Sequence, residues 1–195
     1  MRINFNGRIL VSVAILLLSW PSAARAQRVK ISTSLGEIVV QLEPEKAPLT
    51  TANFLKYVEE DFYKGGSFFR TVRHDNQPDN PVKIAVIQAG AHPWKQNFLY
   101  QAITLERTSQ TGLKHKDGTI AMARGEPDSA QESFFICIGD QPELDFEGMR
   151  NPDGQGFAAF GHVVAGMETV HSIHQARAEG QALMLPIMIM EIVVE

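Results

Sequence analysis

From Val29 to the end of the chain, the apolar residues fall into a series of short runs: Val29–Thr33, Glu37–Leu42, Ser67–Val72, Val82–Gln88, Thr119–Ala123, Phe134–Ile138, Phe157–Val164 and a closing run at Leu183–Val194. Gly, Pro and Asp clusters separate them. Strands this short cannot bury a face alone, so they must share one sheet system, and the pattern predicts an all-β sandwich or barrel. Ser34-Leu35-Gly36 joins the first two runs as a hairpin turn. The last run reads as a buried closing strand, with Pro186 near its start, where a missing N–H is tolerated.

Two segments carry helical spacing instead. Pro48 suits a first helical position, and Thr50–Phe62 follows it with Phe54, Leu55, Val58 and Phe62 on one face until Gly65-Gly66. Met167–Ala178 lies between Gly166 and Gly180, with Met167, Val170 and His174 on one face.

Residues 1–26 have a different composition. Arg2 and Arg8 precede an apolar run, Ile9–Trp20, and Ala24-Arg25-Ala26 places small residues around a cleavage point before Gln27. The run has about 12 residues where a membrane-spanning helix needs roughly 20, so a cleaved secretory signal is expected rather than an anchor. The folded domain is then 27–195, in a periplasmic or secreted setting. Removal of three arginines and no acids takes the net charge from −4 to −7. Such a chain, without a basic run, is not suited to nucleic acid or to an anionic membrane surface. Cys137, the lone cysteine, lies in the apolar run Phe134–Ile138 and reads as a buried, inert thiol.

No Gly-x-Ser-x-Gly elbow, phosphate-binding Gly-rich loop or His-Glu-x-x-His motif occurs. His171 and His174 could share one ion, but no third ligand is evident, so no metal is expected. Two long polar loops, Arg73–Asn80 and Pro142–Gln155, are candidate binding surface.

Several segments then occur in a fixed order: Gly36-Glu37-Ile38, Ala47–Phe54, Phe62-Tyr63, Ser67-Phe68-Phe69-Arg70, Ile87-Gln88-Ala89-Gly90, Gly118–Ala123, Ser133-Phe134-Phe135-Ile136, Leu144-Asp145, Phe160-Gly161-His162-Val163 and Gly166-Met167. In this order they resemble the cyclophilins, the family of peptidyl-prolyl cis–trans isomerases, from about Val29 to Glu195. The resemblance implies a closed eight-stranded antiparallel β-barrel capped by two helices, in agreement with the strand and helix count. It implies no cofactor, and as partners proline-containing stretches of unfolded or extended exported proteins, met by a monomer.

By the same resemblance Arg70 is the catalytic arginine and Gln88 the glutamine beside it. Ala123 and Arg124 match the strand end that binds substrate backbone, Phe135 and Leu144 the walls of the proline pocket, and Phe157 a position where the family carries His or Tyr. The sequence departs from the family elsewhere. Phe69 precedes Arg70 in place of His; Ala85 and Val86 stand where Phe and Met line the pocket; Ser133 replaces Gln; Arg124 replaces Asn or a similar residue; Glu143 stands at a Trp or Phe position. A small Ala85 floor and a Glu143 carboxylate would make the pocket less apolar. Two functions therefore remain: a prolyl isomerase, or a non-catalytic module that grips proline segments or a partner.

Overall fold

The computed structural model describes residues 27–195; the signal segment predicted over 1–26 lies outside the described residues. Among the described residues nine strands form: β1 (Arg28–Thr33), β2 (Gly36–Leu42), β3 (Ser67–Val72), β4 (Val86–Gly90), β5 (Thr119–Met122), β6 (Phe134–Cys137), β7 (Ala158–Ala165), β8 (Ala178–Glu179) and β9 (Ala182–Val194). They pair antiparallel in the order β1-β2-β7-β5-β6-β4-β3-β9, and β9 returns to β1. Eight strands thus close a barrel without a free edge, while the two-residue β8 folds back on β9.

Helix α1 (Pro48–Glu59) buries Thr50, Thr51, Asn53, Phe54, Tyr57 and Val58. It stops before the predicted Phe62 because Asp61 takes a left-handed φ of 57°. A single turn, α2 (Thr108–Thr111), adds a helical segment with no hydrophobic periodicity to announce it. Helix α3 (Met167–His174) is shorter than predicted, because Ala178 is drawn into the β8–β9 hairpin. At its start Gly166 has φ +89°, and an added Cβ would lie 2.1 Å from the Glu37 carbonyl oxygen, so only glycine fits there.

Two predicted strands shift for identifiable reasons. The run Val82–Gln88 becomes β4 only from Val86, since the backbone of the preceding residues is engaged elsewhere. The Val82 carbonyl accepts from Arg150, and the Ala85 N–H donates to Gln141. Pro186 lies inside β9 rather than at its start. It falls where Ala182 and Ile187 on β9 face Arg70 and Phe68 on β3, an irregularity that requires no ladder N–H from it.

The barrel is filled by a T-shaped and tilted aromatic cluster of Phe54, Tyr63, Phe68, Phe134 and Phe160. A second, smaller cluster holds Val72, Ile84, Val86, Ala121, Phe135, Cys137 and Leu144, with Ala123 and Phe157 packed on it. Period-2 alternation on β6 splits adjacent aromatics, Phe134 into the barrel and Phe135 into the second cluster. That second cluster is the floor of the candidate site. Cys137 is buried in it, and burial pushes its thiol well above the usual range, as expected of an inert residue.

Candidate active site

Strand register brings the polar pair together. Arg70 on β3 lies directly opposite Gln88 on β4, and Gln88 lies opposite Phe135 on β6. The Arg70 Nη1 donates to Gln88 Oε1 at 2.8 Å, and Nε donates to Gln181 Oε1 at 3.0 Å. Nη2 also donates to that Gln181 oxygen. Half-buried, the guanidinium is pulled below its ordinary pKa by desolvation, but it remains a cation at neutral pH. With Arg70 on its oxygen, Gln88 keeps its amide N–H groups free for a bound chain.

These groups edge a pocket of about 130 Å³, lined by Arg70, Ile84, Val86, Gln88, Ala123, Arg124, Phe135, Leu144, Arg150 and Phe157. A cavity of about 150 Å³ accepts a benzene ring, so this volume is on the scale of a five-membered ring. Phe157 meets Phe135 edge-on, 5.5 Å between centroids at 88°. Arg124 Cζ sits 4.9 Å over the Phe157 ring. Its Nη1 and Nη2 bind Asp153 at 2.7 and 2.9 Å, and its Nε donates to the Gly156 carbonyl. The Arg124 side chain is thus a neutralised wall of the pocket.

All seven principal candidates, Arg70, Gln88, Ala123, Arg124, Phe135, Leu144 and Phe157, converge on this pocket, and so does Val86. Four others do not. Ala85 is off the lining, and Ile84 stands beside Val86 instead. Side chains 84, 86 and 88 share one face of an extended chain, so counting back from Gln88 without that alternation selects the wrong neighbour. The floor is therefore apolar and branched. Glu143 is turned away, its Oε2 accepting from the Met149 N–H at 2.9 Å, so it adds no carboxylate to the lining. Phe69 sits at a register shift in β3, skipped by both neighbouring strands, and the residue is 37% exposed. Ser133 lines an adjoining groove with Gln88, Ala123, Arg124, Gly125 and Gln131.

Behind Phe135 lies His115, which the motifs gave no reason to single out. Its ring stacks on Phe135, centroids 6.0 Å apart at 15°, and Nδ1 contacts Asp145 Oδ1 at 2.8 Å. The side chain is fully buried, and Nε2 has no partner among the described residues. Burial holds its pKa below the ordinary value despite the Asp145 carboxylate. Two more lining or supporting residues, Gln181 and Arg150, were also missed, because both come from connections rather than from motif strands. Among the described residues, no three His, Cys, Asp or Glu side chains are placed to hold a metal. His171 is exposed, and His174 Nε2 donates to the Val72 carbonyl at 3.0 Å.

Residues 28–194 match the model of the cyclophilin type peptidyl-prolyl cis-trans isomerase/CLD family. The chain is 32% identical over 167 residues to a peptidyl-prolyl cis-trans isomerase of Acinetobacter baylyi, covering 85% of this chain and 81% of the relative. It is 36% identical over 148 residues to peptidyl-prolyl cis-trans isomerase B of Escherichia coli, covering 74% and 82%. A solved cyclophilin of Cryptosporidium parvum has the same fold, with a TM-score of 0.69 at 21% identity over 87% of this chain and 97% of that one. The chain belongs to the cyclophilin-type peptidyl-prolyl cis–trans isomerases.

Proposed function

We propose that the protein isomerises X–Pro bonds in unfolded or extended exported polypeptides, working as a monomer outside the cytoplasm, with Arg70 as the electrostatic catalyst. One observation carries this: a guanidinium held on two sides by Gln88 and Gln181 at the edge of an apolar pocket sized for a pyrrolidine ring. The Cryptosporidium cyclophilin has also been solved in the presence of the dipeptide Ala-Pro, which supports a proline ligand. The amino-terminal export pattern supports the setting.

Amide resonance gives an X–Pro bond a barrier of about 18–20 kcal/mol. An N–H aimed at the prolyl nitrogen binds its lone pair only as the amide twists, so the contact is stronger in the transition state than in either isomer. Arg suits this because it stays charged and its donors are rigidly forked. Phe135, Leu144, Val86 and Phe157 hold the ring and exclude water, which strengthens the contact.

An acceleration of about 10⁵-fold requires roughly 7 kcal/mol, whereas one hydrogen bond to a charged group gives about 1.5–3 kcal/mol. Desolvation and preferential binding of the twisted amide supply the remainder. Proline-limited refolding of a test protein checks the reading. The wild type should accelerate it and Arg70→Ala should not; no acceleration by the wild type, or equal acceleration by both, refutes it.

A further inference from the structure

The two long polar loops meet at Arg150. Its Nη1 donates to Gln77 Oε1 at 2.6 Å and to the Val82 carbonyl at 2.7 Å, and its backbone N–H donates to the Glu143 carbonyl. Gln77 is buried and itself fixed, its Nε2 donating to the Arg73 and Ile84 carbonyls. The guanidinium is thereby held on the pocket lining beside Ile84 and Val86, with Arg70 on the same lining. Among the described residues its Nε and Nη2 have no hydrogen-bond acceptor.

The charges around it do not balance. Arg124 is matched by Asp153, but no carboxylate of the described residues lies within 4.0 Å of Arg70 or Arg150. Glu143, on the same loop, has its carboxylate engaged by Met149. Burial lowers the Arg150 pKa, and the Arg70 charge lowers it further. Two uncompensated cations therefore edge one small apolar pocket in an otherwise acidic protein, and a carboxylate brought there would relieve their repulsion. Consecutive residues of an extended chain are spaced about 3.3–3.6 Å, so a side chain next to a bound proline can reach the pocket edge.

We propose that Arg150 is a specificity residue, which with Arg70 makes the pocket favour proline segments carrying an Asp or Glu side chain immediately before or after the proline. The proposal rests on the pocket being the proline site. It is tested by NMR titration with blocked peptides in matched pairs, Ala-Ala-Pro-Glu-Ala against Ala-Ala-Pro-Gln-Ala and Ala-Glu-Pro-Ala-Ala against Ala-Gln-Pro-Ala-Ala. In low salt, at least one acidic peptide should bind about fivefold more tightly than its partner, the scale of a partly exposed ion pair. Salt at about 0.5 M should shrink that margin, Arg150→Met should abolish it, and Arg150→Lys should retain part of it. Equal affinity within both pairs, or a preference that survives in Arg150→Met, overturns the proposal while leaving the proline site intact, provided that the Gln peptides still bind. If no peptide perturbs the Phe135 or Arg70 resonances, the proline-site reading fails, and this proposal with it.

Discussion

Gln181 and Arg70, 111 residues apart in sequence, are joined by two hydrogen bonds from Nε and Nη2 to a single amide oxygen. The β8–β9 turn that carries Gln181 is tied down in turn: the Gln181 carbonyl accepts from the Thr71 N–H, and Asn76 Nδ2 donates to the Gly180 carbonyl. A connection outside the motif strands thus fixes the direction of the Arg70 guanidinium. On the proposed mechanism Gln181 positions Arg70, and Gln181→Leu should lower kcat about tenfold, the loss expected for charge-assisted hydrogen bonds. Peptide KM and the unfolding midpoint should change little. A rise in KM with unchanged kcat would contradict this role.

Arg70→Lys separates charge from geometry. A lysine keeps the cation but cannot span Gln88 and Gln181 with a planar fork. Activity should fall most of the way to that of Arg70→Ala, with kcat losing roughly 10–100-fold while the fold is retained. Stopped-flow isomerisation of a chromogenic proline peptide reads it directly.

Acid should loosen the floor beneath the pocket. His115 is buried with its pKa depressed, so below the ordinary histidine range the unfolded chain takes up a proton that the folded chain refuses. Stability is therefore fully present above about pH 6.5 and declines as pH falls toward the folded pKa. Asp145, whose pKa is also lowered despite the opposing effect of burial, adds a further loss below the ordinary Asp range. Urea midpoints measured from about pH 7.5 down to 5 should fall in the wild type and stay flatter in His115→Gln. The His115 resonance should titrate below the free-histidine value.

In the barrel, Phe134 packs against Phe54, Tyr63 and Phe68 with centroids 5.4–5.9 Å away. Phe134→Ala should destabilise the protein by about 3–5 kcal/mol, read by chemical denaturation, far more than Phe69→Ala on the exposed register shift.

Gly166→Ala would combine a left-handed backbone with a Cβ pressed on the Glu37 carbonyl. A loss of at least about 2 kcal/mol is expected, whereas Gly112→Ala, also left-handed but in open space, should lose only the backbone part, about 1–2 kcal/mol. Equal losses at the two positions would show that the Glu37 contact is relaxed by movement of α3.

Period and punctuation were enough to place the eight barrel strands and two main helices, because short alternating runs bounded by Gly and Pro leave few other folds. The resemblance of the ordered motifs to the cyclophilins supplied Arg70, Gln88, Phe135, Leu144 and Phe157, and strand register brings Arg70, Gln88 and Phe135 side by side. The same alternation, once the backbone path from 82 to 86 is known, replaces Ala85 with Ile84. Sequence spacing could not supply that path, because it depends on Arg150 and Gln141 bonding to Val82 and Ala85 from distant loops.

The chain by itself, then, determined eight short strands and two helices through local pattern, and its ordered segments, through their resemblance to the cyclophilins, implied the closed barrel and an arginine beside a proline pocket. Only the tertiary structure decided how that arginine is aimed and what surrounds it. Gln181, Arg150 and His115 reach the site from a hairpin turn and from loops. Contacts between residues that far apart in sequence leave no periodic trace in it, and they exist only once the barrel has closed.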